Sequence, residues 1–456
     1  MKVRELVTLL ALILLSTLPP KARAQFTFST NNGAITITRY TGSGASVVIP
    51  GTTNGLPITT IGQGAFVRSS SVTNILLPDS IVAIGDSAFV SCFGLATINF
   101  PANLATIGSA AFDGCKLTAV VIPQSVTNVG YMAFAGCTTL EQFTVQGLNP
   151  YYSDMDGVLF NQSRTTLIQC PARKSGSYAV PNGVTSVGDS AFSGSVLRHI
   201  NIPAGVTNLG AGAFKSATSL TNIDIPETIT NIGIQAFLGC SSLLSVSIPA
   251  GVTSIGWYAF FGCNSLTNVN IGLGVTSIGE SGFYGCSNLT RVAIPDSVTN
   301  LDRQAFIDCS GLSSVWVGEG VANIGGSAFL GCVKLAAIYF TGDAPSVGSS
   351  VFGYSSVIVY YLPQTAGWGP TLGGWPAKLW NPTIQTAAPE FGIRSNGFGF
   401  TITGTPDIPI AVATSTDAAK PIWTPLQTCT LTNGSIYFSD PDWTNYPTRF
   451  YRIRSP

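Results

Sequence analysis

The sequence predicts a mainly β protein in which about twelve short coils stack into a solenoid. Three observations carry this prediction. A phenylalanine recurs every 22 or 23 residues over most of the chain. Each interval contains a short stretch of alternating apolar and polar residues, as in a strand with one buried face. A proline or glycine follows that stretch, where a strand would end and the chain would turn.

The repeated phenylalanines set the register of the coils. Their successive spacings are 23, 23, 22, 58 and 22 residues, followed by six intervals of 23. A constant period in this range is typical of solenoids, whose units bury their apolar faces only by stacking on their neighbours. The phenylalanines are Phe66, Phe89, Phe112, Phe134, Phe192, Phe214, Phe237, Phe260, Phe283, Phe306, Phe329 and Phe352.

The unit that ends at Phe237 illustrates the predicted elements. Its segment LTNIDIP, Leu220–Pro226, predicts a strand that stops at proline, because proline cannot donate a ladder hydrogen bond. The segment that reads V-T-x-I-G in most units predicts a second short extended stretch. The following IQAFLGC predicts a tight or single-turn helical corner that places the phenylalanine in the core. Strands of neighbouring coils would lie about 4.8 Å apart and form ladders of equivalent positions.

Cysteine stands three residues after the repeat phenylalanine in most units, and Ser69, Ser195, Ala217 and Ser355 take that position in the others. Residues of this size suit a small buried site. A metal ladder is disfavoured because the chain has one histidine and no C-x-x-C pair, and disulfides are disfavoured because in-register side chains run parallel. We expect free thiols, and neither metal nor cofactor. The cysteines are Cys92, Cys115, Cys137, Cys240, Cys263, Cys286, Cys309 and Cys332.

The unit L-x-x-[IV]-x-[IV]-P…I-G-x-x-A-F-x-G-C resembles the BspA-like leucine-rich repeat family of bacterial surface and secreted proteins. The resemblance covers about residues 45–360 and implies a leucine-rich-repeat solenoid. It also implies binding or adhesion through the repeat surface, without specifying a ligand. The departures are small: Gly272 and Gly318 replace the strand-end proline, and Gly282 replaces the alanine before the phenylalanine.

The 58-residue interval equals one coil plus 35 residues and predicts a small β-excursion at about residues 141–180. Asp156 and Gly157 form a hairpin turn signal, and N-Q-S-R predicts a second turn. The resemblance implies the same excursion. Asp154 and Asp156 could suggest calcium, but the pair lacks the further oxygen ligands of a calcium loop, so a plain turn is favoured.

Residues 1–24 predict a secretory signal peptide. Lys2 and Arg4 precede the apolar stretch 6–18, and A-R-A at 22–24 suits cleavage after Ala24. A membrane anchor is the alternative, but the stretch is shorter than the about 20 residues that a span needs. We expect a secreted or cell-surface chain from Gln25, without a membrane span.

The predicted domains are the solenoid at 25–360, a cap at 361–382, a linker at 383–390 and a small antiparallel β-sandwich at 391–456. The cap prediction rests on the need to cover the last coil. A sugar-stacking patch is the alternative for its tryptophans. The terminal module resembles C-terminal β-modules of exported proteins from environmental bacteria. This resemblance implies that the module would hold the chain at the surface or aid its export. The tryptophans are Trp368, Trp375 and Trp380.

Composition and motifs argue against catalysis and against nucleic-acid binding. Twenty-one basic residues balance twenty-one acidic ones, and no basic run exists. The single histidine, His199, lies in a polar strand column, where a neutral surface role is expected. A polysaccharide-acting β-helix enzyme would need clustered carboxylates or basic residues on one sheet, and the outward column lacks paired acids. We predict that the chain is not an enzyme.

The outward strand column gives the site hypothesis. Arg291, Trp316 and Tyr339 gather on three successive strands, next to Asn270 in the polar middle of the column. Aromatic faces and a guanidinium suit an extracellular glycan or protein ligand. The alternative is that these aromatics only decorate a sheet. We therefore expect a recognition or adhesion protein, with a structural surface component that binds no specific ligand as the alternative.

Overall fold

The computed structural model describes residues 25–353, 355–387, 389–394, 397–419 and 423–454. The predicted signal peptide lies outside these residues. The described chain is a mainly β solenoid followed by two small antiparallel sheets, and two single-turn 3₁₀ helices lie in the C-terminal part, at Thr432–Gly434 and Trp443–Asn445. The predicted fold class of the repeat region is confirmed.

A hairpin closes the N-terminal end of the solenoid. The first strands are β1 (Phe26–Asn31), β2 (Ala34–Tyr40), β3 (Ser46–Val48), β4 (Thr52–Thr53) and β5 (Leu56–Ile61). β1 and β2 pair antiparallel, and β2 continues into the solenoid by pairing parallel with β5. The ring of Tyr40 stacks on Phe66 at 4.9 Å between centroids. This cap precedes the repeat, and the repeat pattern did not predict it.

The first repeat block contains two strands in most coils. Its strands are β6 (Asn74–Leu76), β7 (Ala83–Ile84), β8 (Thr97–Ile98), β9 (Thr106–Ile107), β10 (Ala119–Ile122), β11 (Asn128–Val129) and β12 (Gln142–Val145). In the first column β6 pairs in parallel with β8 and β10 with β12, and in the second column β7, β9 and β11 form one continuous parallel ladder. We call the first column the front sheet and the second the back sheet.

The predicted excursion is a three-stranded antiparallel meander. It consists of β13 (Tyr152–Met155), β14 (Val158–Asn161) and β15 (Thr166–Gln169). Met155 pairs with Val158 across the Asp156–Gly157 turn, which confirms the first predicted hairpin, and β14 pairs with β15 beyond the second turn. Asp154 accepts a hydrogen bond from the Val145 amide at 2.7 Å. Its carboxylate therefore has a structural partner in the excursion.

The second repeat block continues both sheets to the cap. Its strands are β16 (Gly176–Ala179), β17 (Ser186–Val187), β18 (Leu197–Asn201), β19 (Asn208–Leu209), β20 (Asn222–Asp224), β21 (Ser245–Ser247), β22 (Ser254–Ile255), β23 (Asn268–Asn270), β24 (Ser277–Ile278), β25 (Arg291–Ile294), β26 (Asn300–Leu301), β27 (Ser314–Val317), β28 (Asn323–Ile324), β29 (Ala337–Phe340), β30 (Ser346–Val347) and β31 (Ile358–Tyr361). The back strands are β17, β19, β22, β24, β26, β28 and β30, and the others are front strands.

The cap adds strands to the solenoid, and the terminal module follows as separate sheets. The cap strands are β32 (Thr371–Leu372) and β33 (Trp375–Leu379), and β33 adds a parallel strand to the front sheet next to β31. The module strands are β34 (Thr383–Ile384), β35 (Phe391–Arg394), β36 (Gly397–Thr403), β37 (Pro409–Ser415), β38 (Thr424–Thr430), β39 (Ser435–Asp440) and β40 (Phe450–Arg454).

The module strands form two antiparallel sheets. In one, β34, β35 and β39 all pair with β36, and in the other, β38 and β40 flank β37. Phe400 and Phe438 of the first sheet share an apolar cluster with Ile410 and Val412 of the second, as expected for a β-sandwich. The predicted linker is wrong for its first residues, because Ile384 of β34 pairs with β36 and packs on this cluster.

The corner before each phenylalanine is a tight turn, and the single-turn helix is wrong. The residue two places before the phenylalanine has a positive φ in successive units, for example 58° at Gln235, 58° at Tyr258 and 60° at Gln304. A helix cannot contain this left-handed conformation. The preceding coil also approaches closely: a Cβ added to Gly256 would lie 2.8 Å from the carbonyl oxygen of Ile232. The repeated glycine is therefore a steric requirement of stacking.

The phenylalanine rings form two continuous stacks inside the solenoid. In the second block, neighbouring centroids lie 5.0 Å apart with nearly parallel rings, as for Phe237, Phe260 and Phe283. The excursion separates the stacks. Val158 and Phe160 of β14 belong to the second core, whereas Leu159 between them belongs to the first. The alternating faces of one strand thus join two apolar cores.

The repeat cysteines are free thiols that bond to the backbone of the preceding coil. Each Sγ donates to the carbonyl oxygen of the phenylalanine one coil earlier, over 2.9 Å from Cys92 to Phe66 and 3.2 Å from Cys263 to Phe237. Burial raises the pKa of Cys92 to about 11. The predicted small buried site is confirmed, and the hydrogen bond gives the reason for a polar atom there.

Replacing one ring of the second stack should destabilise that block. Phe260 is fully buried between two stacked neighbours, so we expect Phe260→Ala to lower the free energy of unfolding by about 3–5 kcal/mol. Urea unfolding followed by circular dichroism measures this change. Phe93→Ala is the control, because Phe93 is 57% exposed. A loss below about 1 kcal/mol, the scale of ordinary surface changes, would contradict the stacking role of Phe260.

Thiol reactivity should separate one cysteine from the other nine. Nine cysteines are buried and Cys429 is half-buried. Since the thiolate is the reactive form and burial raises the pKa of repeat cysteines such as Cys92 and Cys263, these thiols stay protonated at pH 8. We expect a thiol reagent to modify at most one cysteine in the native chain and all ten in denaturant. Cys429→Ser should remove the native reaction, and rapid modification of several cysteines would contradict this burial.

Candidate functional site

The front sheet presents two outward rows of side chains, because every second residue of a strand points to solvent. In the second block the residues of these rows are small and polar, and they hydrogen-bond between coils. Asn270 donates to Ser247 Oγ at 3.2 Å, and both side chains are exposed. Their hydrogen-bonding groups recur at the strand spacing of about 4.8 Å. From β18 to β25 the exposed members of the two rows are Asn201, Asn222, Asp224, Ser245, Ser247, Asn268, Asn270, Arg291 and Ala293. We call these residues the polar strip.

The predicted site residues separate into two environments. Asn270 and Arg291 are exposed on the polar strip. Trp316 and Tyr339 continue the same rows as a ring stack with Tyr360, at centroid distances of 5.5 and 5.1 Å. Tyr339 is only 7% exposed, and burial raises its pKa. The structure thus brings the four residues onto successive strands of one column but gives a ligand no access to the face of Tyr339.

The C-terminal module covers this aromatic stack. Tyr339 and Tyr360 belong to the apolar cluster that contains Phe400, Ile402 and Ile410 of the module, and Trp316 packs against its edge. Trp380 lies edge-on to Tyr339 at 6.4 Å and donates its Nε1–H to the carbonyl oxygen of Pro409 at 2.9 Å. Aromatic side chains with a polar handle suit such a docking surface. The aromatic end of the front sheet is therefore an internal interface.

The other two tryptophans close the end of the solenoid core. Trp375 packs edge-on against Phe352, the last ring of the repeat stack, at 5.2 Å. Trp368 stacks on Tyr361 at 4.8 Å and also contacts Phe340. Both side chains are partly buried against the second core. These contacts are those of a cap rather than those of an open sugar-stacking patch.

Chemistry-bearing groups on the front sheet are few. His199 lies 3.6 Å from Asp224, between Nε2 and Oδ2, at the half-exposed surface of the strip. In the part of the chain that the structure describes, no three histidine, cysteine or acidic side chains come together as metal ligands. The strip can therefore offer hydrogen bonds and one guanidinium to a ligand.

A further surface, which the sequence analysis missed, lies on the corner beside the back sheet. Trp257 stands there 56% exposed above a groove of about 270 Å³ that Asp302 closes at one end. Two signals in the sequence point to it. Trp257 follows the corner glycine at a position that other units fill with varied residues, and Asp302 occupies the place of the corner glycine itself.

Among the described residues, no helix has the length and apolar character that crossing a membrane requires.

The chain matches solved structures of proteins from several bacteria. A leucine-rich cell surface protein of Faecalibacterium prausnitzii is 25% identical, over 70% of this chain and 94% of that one, with a TM-score of 0.38. A leucine-rich repeat protein of Eubacterium ventriosum is 21% identical, over 66% and 91%, with a TM-score of 0.47. The pneumococcal vaccine antigen PcpA is 18% identical, over 74% and 92%, with a TM-score of 0.38.

No curated protein matches the chain. The family described as the BspA type leucine rich repeat region matches in six copies, over residues 59–174, 172–257 and 235–359. These matches span most of the solenoid. The chain belongs to the BspA-type leucine-rich repeat family.

Proposed function

We propose that the chain is an exported, noncatalytic recognition or adhesion protein that holds an extended glycan or protein ligand on its polar strip. One observation carries the proposal: exposed amide and hydroxyl groups repeat along the open part of the front sheet, and Arg291 stands at the end where the aromatic stack begins. An extended ligand with regularly spaced hydrogen-bonding groups fits such a ladder. The sheet is built before the ligand binds, so the protein loses little conformational entropy.

The absence of catalysis is part of this proposal. The polar strip contains one carboxylate, Asp224, and it faces His199 rather than a second acid. Hydrolysis of a glycosidic bond commonly needs two carboxyl groups on either side of that bond. His199 and Asp224 lie on two paired strands, with both side chains partly open to solvent.

Export rests on the sequence of residues 1–24 and on the family. The predicted cleavage after Ala24 would leave the β1–β2 hairpin close to the new terminus, as an end cap of the solenoid. Low charge and free thiols in buried positions are compatible with an extracellular environment. We propose that the chain acts outside the cell or at its surface.

Binding should fail when the open end of the strip loses its polar groups. We expect Asn270→Ala combined with Arg291→Ala to weaken ligand binding at least about tenfold, because hydrogen bonds to charged or aligned groups contribute about 1–3 kcal/mol. Surface plasmon resonance against a panel of polysaccharides and extracellular matrix proteins measures the change and identifies the ligand class.

Thr276→Ala combined with Thr299→Ala is the matched control, because these exposed hydroxyls lie beside the back sheet on neighbouring coils. The control should bind as the parent does. Equal binding by the strip variant would place the ligand elsewhere. If the parent binds no member of the panel, the role of a structural surface component without a specific ligand gains support.

Removing the aromatic stack should release the module rather than a ligand. Trp316→Ala combined with Tyr339→Ala empties part of the shared apolar cluster, at an expected loss of about 3 kcal/mol or more. Limited proteolysis should then cleave near residues 383–390 faster than in the parent, while the strip keeps its binding. Unchanged proteolysis together with lost binding would restore these two aromatics to the ligand site.

A further inference from the structure

A groove runs along the solenoid axis between the back sheet and the corner turns. Its floor is glycine: Gly256 and Gly279 stand at the corner positions of successive coils and expose only backbone. On one side lie the outward side chains of the back-sheet ladder, and on the other lie the residues that follow each corner glycine. At about 270 Å³ the groove is smaller than the about 300–1,000 Å³ of drug-sized ligand sites, so it suits a ligand of one or two rings.

Trp257 forms the apolar wall of the groove. Its Cδ1 edge lies directly over the next coil, where a Cβ added to Gly279 would come within 2.8 Å of it. The glycine floor therefore makes room for the indole, which rests against the backbone while 56% of the residue stays exposed. Ile234 continues this wall on the preceding coil. An indole supported in this way offers a flat apolar face at low entropic cost.

The opposite wall and one end of the groove are polar. Asn231, Ser254 and Ser277 line the wall, and Ser254 donates to Asn231 Oδ1 at 3.1 Å. The end is Asp302, which replaces the corner glycine of its unit. One oxygen of its carboxylate accepts a hydrogen bond from Asn300 Nδ2, which fixes the acid at that place.

From this arrangement we infer that the groove is a binding site for a neutral sugar residue of a polysaccharide. A pyranose ring has apolar C–H faces and a rim of hydroxyls, so one face would stack on Trp257 while the rim bonds to the polar wall. The carboxylate of Asp302 accepts hydrogen bonds from two neighbouring hydroxyls, as ionised acids do. The site lies away from the polar strip and does not depend on it.

The charge of the groove selects against other ligands. Its lining contains one acid and no basic residue, so it disfavours uronic acids, sulfated sugars and phosphates. A peptide backbone would need strand edges, and the back sheet here has both edges paired, β22 with its bridge to Ile232 and with β24. A hydroxyl-rich neutral ring is the ligand class that satisfies both walls.

Affinity electrophoresis of the full chain tests the site. The gels contain laminarin, hydroxyethylcellulose, glucomannan or soluble starch as neutral probes, and polygalacturonate or hyaluronate as anionic ones. We expect at least one neutral probe to retard the parent. Trp257→Ala and Asp302→Ala should each raise the dissociation constant at least about tenfold, which corresponds to about 1.4 kcal/mol. Tryptophan fluorescence of the parent should change on binding, and the change should be absent in Trp257→Ala.

Two controls make the result specific. Phe93→Ala removes an aromatic that is 57% exposed, and Tyr131→Ala removes one that is 51% exposed after the corner glycine of another unit. Both should be retarded as the parent is. Modification of at most one cysteine in the native state, as in the parent, shows that each variant is folded. The proposal is overturned if Trp257→Ala binds as the parent does, if no neutral probe retards the parent, or if only the anionic probes do.

Discussion

The structure depends on the parallel, in-register stacking of coil on coil. Equivalent residues of neighbouring coils pair directly, such as Ser254 with Ser277 and Ser277 with Asn300, so each side chain sits on its own counterpart. Any interior residue type must therefore tolerate a copy of itself at the spacing of one coil. Phenylalanine satisfies this by stacking rings, glycine by letting the backbones approach, and cysteine by donating to the carbonyl below. The consensus of the repeat follows from this single requirement.

Most of the solenoid could be predicted because the period records stacking directly. The excursion and the free thiols could also be predicted, since turn residues and side-chain size act locally. The corner could not, because a left-handed residue such as Gln235 has no side-chain signature and is imposed by the next coil. The N-terminal hairpin precedes the repeat and has no counterpart in the other coils to reveal it.

The candidate sites show the same limit. Exposed Asn270 and Arg291 could be placed on the front sheet from their register alone. The burial of Tyr339 could not, because its partners in the module lie more than sixty residues away and outside the repeat. Trp257 and Asp302 could not be predicted from the repeat consensus, because both residues stand at positions that the consensus does not define or that depart from it. In a repeat protein, the residues of a binding site stand at such departures, whereas the consensus residues build the scaffold.

The excursion strand β14 also divides the apolar interior of the solenoid. Repeat arrays gain cooperativity from the contact of each coil with the next, and their stability is close to a sum over neighbours. Here the two ring stacks end on either side of β14, with Leu159 facing one core and Phe160 the other. Mechanical or thermal unravelling that begins at one end meets a boundary at this strand. The solenoid therefore has two apolar cores, and the proposed binding surfaces both lie on the coils of the second one.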